Sequence, residues 1–136
     1  MNIIIVTGHG GYAQGMEGAY TMLAGGKETI HFVDYLKNET EEDLNKKYLE
    51  LIKDNNVLFL CDLIGGTPYK VAAKLSVTNP NIQVVTGANV GALIDSGMKM
   101  DKMSIQELAE YAKTRTLIHS TIFKMVKEEI NNSDGI

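Results

Sequence analysis

The stretch "NIIIVTGHGGYAQG", residues 2–15, passes from an apolar run into a glycine-rich turn. The run at 2–6 predicts a buried strand that ends at Gly8, and an apolar stripe at helical spacing follows over residues 12–24. A strand, a glycine turn and a helix in this order are typical of α/β folds that bind ligands at the turn. The turn has the outline of a dinucleotide-binding loop, but His9 lies between its glycines, where such a loop has no use for a bulky imidazole.

The rest of the chain repeats this alternation of apolar runs and amphipathic segments. Three more runs predict strands at residues 29–35, 57–61 and 82–86. Strands that are apolar throughout and separated by helices predict an α/β fold, in which a parallel sheet carries helices on both faces. We expect a four-stranded sheet in the order 2-1-3-4, within a single domain over residues 1–136.

Capping residues mark where the predicted helices begin. Two helix starts have the spacing of a capping box: Thr40 with Asp43, and Ser104 with Glu107. Thr67 and Pro68 are predicted to be the N-cap and the first residue of the helix after the third strand. The segment 115–130 leaves two alternatives open, a strand followed by a helix or a helix throughout, and the last residues, "NNSDGI", are predicted to fray.

Composition restricts the classes of function. The net charge of −4 argues against nucleic-acid binding, because like charges repel the phosphate backbone. The single cysteine, Cys61, excludes an internal disulfide and is typical of a reducing compartment. The first apolar run is too short for a signal peptide or a membrane span. We therefore expect a cytoplasmic protein, and since no cluster of His and Cys accompanies the methionines, we expect no metal.

His9 and Asp62 are predicted to meet at one crevice. They follow the first and third strands, between which the predicted strand order reverses, and ligands bind at such a reversal. A carboxylate can hold one ring N–H of a histidine and leave the other nitrogen free as a nucleophile. Two helix N-termini would supply an anion site there, through the predicted phosphate-binding residues Gly10, Gly11, Gly66 and Thr67. This combination predicts phosphoryl chemistry.

Other interpretations stay open at this point. His9 could be a hydrogen-bonded structural residue of its turn, and Asp62 could cap the loop after the third strand. A dinucleotide site would use Asp34, which ends the second strand at the distance expected for a ribose contact. A regulatory module that binds a phosphorylated metabolite is a further alternative. The chain is too short to add a substrate domain to a dinucleotide site, which favours phosphoryl transfer.

Three segments resemble a known family. "TGHGGYAQGM" (7–16), "VLFLCDLIGGTPYKVAA" (57–73) and "VVTGANVGALI" (84–94) are similar to the signature segments of the mannose-family enzyme IIA of the bacterial phosphoenolpyruvate:sugar phosphotransferase system. Their wording is most similar to the N-acetylgalactosamine-type branch. The phosphocarrier subunit of dihydroxyacetone kinase has the same fold and histidine and is the alternative within this chemistry.

The resemblance implies specific roles. His9 would accept a phosphoryl group from the histidine phosphocarrier protein and pass it to a IIB component on a separate chain, which serves a membrane sugar permease. Asp62 would pair with His9, Thr67 would lie at the rim of the site, and Asn89 would belong to a loop beside it. No cofactor is implied.

The resemblance also implies a homodimer that exchanges an antiparallel C-terminal strand, for which "RTLIHST" (115–121) is the candidate. Because the partners are proteins, we further expect a shallow crevice with an apolar rim, for which the candidates are Tyr12, Leu63, Ile64 and Tyr69.

Overall fold

The computed structural model describes residues 1–125, which form parallel strands alternating with helices. The strands are β1 (Asn2–His9), β2 (Ile30–Tyr35), β3 (Asn56–Cys61) and β4 (Ile82–Thr86). The helices are α1 (Tyr12–Ala24), α2 (Glu41–Ile52), α3 (Thr67–Val77), α4 (Val90–Lys99) and α5 (Ile105–His119). The sheet order is β2-β1-β3-β4 and its neighbouring strands are parallel, which confirms the predicted topology.

The sheet is covered on both faces, as predicted. Successive residues of β1 alternate between two apolar clusters, Ile4 and Val6 on one face and Ile3 and Ile5 on the other. The first cluster contains buried residues of α1, α4 and α5, and the second contains those of α2 and α3. With both faces buried, the carboxyl end of the sheet is the place left for a ligand.

The first strand is longer than predicted. It continues through Gly8 to His9, in parallel register with β2 as far as the pair His9 and Tyr35. Gly8 does not end the strand, because glycine is required at a position where a Cβ atom would not fit. A Cβ atom on Gly8 would lie 2.4 Å from the Tyr12 ring and 2.9 Å from the Asp62 carboxyl carbon. His9 is therefore held by sheet pairing rather than by a free turn.

The predicted capping boxes of α2 and α5 are confirmed. The prediction for α3 is wrong by one residue, because Gly66 is the N-cap and Thr67 is already the first helical residue. Gly66 takes an extended conformation that brings its backbone against His9, where a side chain would not fit.

Of the two alternatives for residues 115–130, the helix is found as far as His119, where α5 ends. The strand that the resemblance implied at 115–121 is not formed in this single chain, and residues 126–130 lie outside the described part. The helix persists because Arg115 and His119, four residues apart on one helical face, both bond to Asp95 of α4 at 2.6 and 2.7 Å. Residues 120–125 have no regular secondary structure. The end of the chain, with the predicted frayed residues 131–136, lies outside the described part. Within residues 1–125, no helix combines the length and apolar character needed to span a bilayer.

Candidate active site

The structure brings the predicted pair together at the carboxyl end of the sheet. Asp62 Oδ2 lies 2.7 Å from His9 Nδ1 and accepts a hydrogen bond of 2.9 Å from the His9 backbone N–H. One carboxylate oxygen therefore fixes both the strand end and the ring. The other oxygen, Oδ1, is buried and has no hydrogen-bond partner among residues 1–125. The His9 side chain is 45% exposed and that of Asp62 is 15% exposed, so the ring faces solvent while its carboxylate support does not.

Sheet pairing explains why the two residues meet. β1 and β3 are adjacent and parallel, with Thr7 in register with Cys61. The Asp62 backbone N–H donates to the Thr7 carbonyl at 3.2 Å, which extends the pairing one residue beyond β3. The site thus rests on the rigid centre of the sheet, where a side chain is positioned more accurately than on a loop.

The free edge of the His9 ring faces the start of α3. A Cβ atom on Gly66 would lie 2.6 Å from His9 Cε1 and 3.3 Å from His9 Nε2. Gly66 supplies no side-chain cap. The first N–H groups of a helix have no acceptor within it, so those of Thr67 and Tyr69 are not used by α3 itself. Nε2 therefore points at an uncapped helix N-terminus, which attracts anions.

At the start of α1, three backbone N–H groups already have hydrogen-bond acceptors. Gly10, at φ +56°, donates its backbone N–H to the Tyr35 carbonyl at 2.8 Å. Asp34 Oδ1 accepts from the backbone N–H groups of Ala13 and Gln14 at 3.0 and 3.2 Å. Gly11 is the N-cap residue of α1 and has no side chain to cap it. Asp34 therefore places a carboxylate at the positive end of α1, whereas Gly66 places no side-chain acceptor at the start of α3.

Tyr12 and Asn89 both support the crevice through the segment after β4. The Tyr12 hydroxyl donates to the Ala88 carbonyl at 3.0 Å, and its ring covers Gly8 beside Asp62. Burial first, and then the charge of Asp62, raise the pKa of Tyr12, so its hydroxyl stays neutral. Asn89 caps α4 through its side-chain oxygen and donates to the Thr116 carbonyl at 3.2 Å. Both of its polar groups are occupied, which makes it a structural anchor.

Three of the predicted rim residues, Leu63, Ile64 and Tyr69, carry large side chains that are at least partly exposed. Leu63 and Ile64 are 58% and 70% exposed. Tyr69 is partly buried against the α2–α3 face. Tyr35, which the sequence analysis did not single out, packs edge-on against the His9 ring with centroids 6.0 Å apart. The predicted strand order could have found it, since β2 lies beside β1 and Tyr35 is the register partner of His9.

Comparison with known proteins agrees with this geometry. A family model described as "PTS system fructose IIA component" matches residues 3–113. A fructose-specific EIIA component from Bacillus subtilis is 27% identical over 114 residues, which are 81% of this chain and 78% of that protein. A mannose-specific EIIAB component from Escherichia coli is 33% identical over 118 residues, which are 82% of this chain but 36% of that protein. This chain thus spans about a third of the E. coli relative.

The chain belongs to the mannose-family IIA components of the sugar phosphotransferase system. A solved EIIA structure from Streptococcus agalactiae supports the fold, with a TM-score of 0.85, 24% identity and coverage of 90% of this chain and 97% of that chain. The family supports a phosphocarrier function in sugar phosphotransfer. It does not favour the dinucleotide, metabolite-binding or dihydroxyacetone kinase alternatives, and Asp34 of this IIA component is already occupied at α1.

Three other side chains of the IIA component could in principle be reactive, but each is buried, partly buried or hydrogen-bonded to another residue. Burial, followed by the charge of Asp62, raises the pKa of Cys61 to about 12, so its thiol is not a nucleophile at neutral pH. Burial lowers the pKa of His31, which lies on β2. His119 bonds to Asp95 at the end of α5. Within residues 1–125 no group of His, Cys, Asp and Glu could hold a metal ion.

Proposed function

We propose that this chain is a cytoplasmic phosphocarrier that carries a phosphoryl group on His9 Nε2. The observation that carries the proposal is the 2.7 Å contact between His9 Nδ1 and Asp62 Oδ2. A carboxylate acceptor places the ring proton on Nδ1 and leaves the Nε2 lone pair free. That lone pair faces Gly66 and the uncapped start of α3. The arrangement provides a nucleophile and an anion site on opposite sides of the same small space.

The transfer is an in-line displacement at phosphorus. The Nε2 lone pair of His9 forms the new N–P bond while the N–P bond of the donor phosphohistidine breaks, and its electron pair returns to the donor ring. Nδ1 keeps its proton, which Asp62 still accepts. The phosphoryl group carries about −1.5 to −2 charges at neutral pH. The N–H groups of Thr67 and Tyr69 stabilise that charge without a cofactor, and the exposed ring lets the group leave again.

The partners follow from the family. The donor is the histidine phosphocarrier protein, and the acceptor is a IIB component that serves a membrane sugar permease. We place IIB on a separate chain, and residues 1–136 within one IIA domain. The B. subtilis relative supports this arrangement. It is described as an EIIA component without a IIB component, and the match covers 78% of its length. The similarity in wording to the N-acetylgalactosamine-type branch remains a prediction.

Incubation with phosphoenolpyruvate, enzyme I and the histidine phosphocarrier protein tests this function. We expect one acid-labile, base-stable phosphate per chain, counted by intact mass, and its loss when a cognate IIB component is added. The control omits the phosphocarrier protein and should give no phosphate. A chain that stays unphosphorylated would instead support the regulatory binding module.

We expect the apolar rim to dock the donor protein. Ile64 is 70% exposed and lies two residues before Gly66, whose backbone adjoins the His9 ring. A few residues near the centre of an interface contribute most of its binding energy. Ile64→Asp should raise the KM for the phosphocarrier protein about tenfold, the equivalent of about 1.4 kcal/mol, with little change in kcat. The matched control is Val77→Asp, which is 84% exposed at the other end of α3. Equal kinetics for the two variants would exclude a docking role for Ile64.

We further propose a homodimer in which the segment after α5 crosses to the second copy. Large apolar side chains are exposed from the end of α5 onward: Leu117, Ile118, Ile122, Phe123 and Met125. β4 is an edge strand of the described sheet and can accept another strand. Sedimentation equilibrium should give twice the chain mass of 14.9 kDa. Phe123→Asp should shift the equilibrium toward monomer, whereas Met22→Asp, 87% exposed on α1, should not. A monomer at all micromolar concentrations would contradict the dimer.

A further inference from the structure

Tyr48 makes polar contacts deep inside the protein, beneath the candidate site. Its side chain is fully buried in α2 and packs against Phe59 with ring centroids 4.7 Å apart. Its hydroxyl nevertheless lies 2.7 Å from Thr7 Oγ1 and donates to the Pro68 carbonyl at 3.2 Å. Since its single proton goes to Pro68, the Thr7 hydroxyl is the donor to Tyr48. Burial raises the pKa of Tyr48 well above its usual range, so the hydroxyl keeps this proton.

The hydrogen bonds of Tyr48 connect the two segments that lie on either side of the phosphoryl site. Thr7 lies on β1 two residues before His9 and is itself fully buried. Pro68 lies in the first turn of α3, two residues after Gly66. Tyr48 therefore joins the strand that carries the nucleophile to the helix end that the nucleophile faces. Within residues 1–125, the Tyr48 hydroxyl makes these two hydrogen bonds and no others.

The position of α3 matters because its first N–H groups act on a developing charge at short range. The Gly66 backbone is so close to the His9 ring that no Cβ would fit between them. Electrostatic stabilisation by prearranged donors depends on such fixed geometry. A displacement of about 1 Å in a catalytic arrangement can cost as much as a hundredfold in rate.

We propose that Tyr48 is a positioning residue for phosphoryl transfer, because its hydroxyl holds the N-terminus of α3 against His9. The inference rests on the proposed function and adds a role to a residue outside the crevice. Tyr48→Phe keeps the ring and its packing but removes the bridge between Thr7 and Pro68. The first turn of α3 then loses this hydrogen-bonded link to β1, and the Thr67 and Tyr69 N–H groups are held less closely in line with Nε2.

A purely structural role for Tyr48 predicts a different result. In that case the loss of its hydroxyl lowers stability, but the protein that remains folded transfers phosphate at the normal rate. Tyr20→Phe is the matched control, since Tyr20 is also buried, lies in the apolar cluster on the opposite face of the sheet, and undergoes the same chemical change.

The test measures transfer from the phosphorylated phosphocarrier protein to the full chain, at a temperature where circular dichroism shows every variant folded. We expect Tyr48→Phe to lower kcat about tenfold with KM for the donor unchanged, and Tyr20→Phe to leave both unchanged. Amide NMR should show smaller phosphorylation-induced shifts at Thr67 and Tyr69 in Tyr48→Phe than in the native chain.

Substitutions of Thr7 remove the hydrogen bond between Tyr48 and β1, and they keep the proposal falsifiable if Tyr48→Phe does not fold. Thr7→Val should slow transfer as Tyr48→Phe does, and Thr7→Ser, which retains the hydroxyl, should restore the rate. Normal kcat in both Tyr48→Phe and Thr7→Val would overturn the positioning role while leaving the proposed function intact. A native chain that accepts no phosphate would overturn the proposed function itself.

Discussion

Replacement of His9 by alanine is expected to abolish phosphorylation completely while the protein remains folded. The loss is complete because the substitution removes the atom that forms the N–P bond. The fold should survive because the His9 side chain is 45% exposed and its ring has a hydrogen bond to Asp62 but no place in the apolar core. The backbone bond from residue 9 to Asp62 is also retained in the variant. Intact mass after incubation with the donor system measures the phosphate, and thermal unfolding measures the fold.

The other two histidines provide the controls for this experiment. His31 lies on β2, and His119 bonds to Asp95 at the end of α5. His31→Gln and His119→Gln should each accept one phosphate at the native rate. Acid-labile phosphate that persists in His9→Ala and disappears in His119→Gln would show that the carrier histidine had been misassigned.

The architecture could be predicted because apolar patterning alone determines it. The run at 57–61 is buried on both faces, the run at 82–86 is partly buried against both apolar clusters, and an amphipathic helix separates them, a pattern typical of a covered parallel sheet. Once the strand order is 2-1-3-4, the ends of β1 and β3 are neighbours. The contact between His9 and Asp62 then follows from topology, without knowledge of any side-chain conformation.

The rest of the site could not be predicted because it depends on contacts between distant segments. Asp34 lies at the end of β2 with the spacing of a ribose contact, but its carboxylate caps α1. Local sequence does not distinguish these two roles, since both need an acidic residue at a strand end. The choice between strand and helix at 115–121 could not be made from the residues for a similar reason. The β-branched residues of this segment favour a strand locally, but Arg115 and His119 share Asp95 as a partner on α4, and this tertiary contact favours the helix.

Loss of the Asp62 carboxylate is expected to slow phosphorylation of His9 by roughly a hundredfold. In a serine protease, replacement of the aspartate that holds the catalytic histidine by asparagine lowers kcat about 10⁴-fold, because the wrong ring tautomer then predominates. The effect here should be smaller, since the half-exposed His9 ring can donate its Nδ1 proton to water instead. Asp62→Ala should therefore fold and accept phosphate slowly. Stopped-flow or quench-flow transfer from the phosphorylated donor measures the rate.

Asp62→Asn separates the hydrogen bond from the charge. A single oxygen, Oδ2, accepts from both the His9 backbone N–H and the ring, so an amide oxygen in the same place can accept both bonds. The amide lacks the negative charge with which the carboxylate stabilises the His9 ring, which gains positive charge in the transition state. We expect a loss of about tenfold, between the native chain and Asp62→Ala.

The phosphorylated nitrogen provides the decisive measurement for this pair. Because Asp62 accepts from Nδ1, phosphate should be found on Nε2, on the side of the ring that faces Gly66 and the start of α3. Long-range nitrogen–proton NMR on histidine-labelled protein distinguishes the two ring nitrogens and reports the tautomer before transfer. In Asp62→Ala the unphosphorylated ring should become a mixture of tautomers, while any phosphate still lies on Nε2, because only that nitrogen faces the helix N-terminus. Phosphate on Nδ1 in the native chain would mean that the Asp62 contact is broken during transfer, and the carboxylate would then not orient the nucleophile.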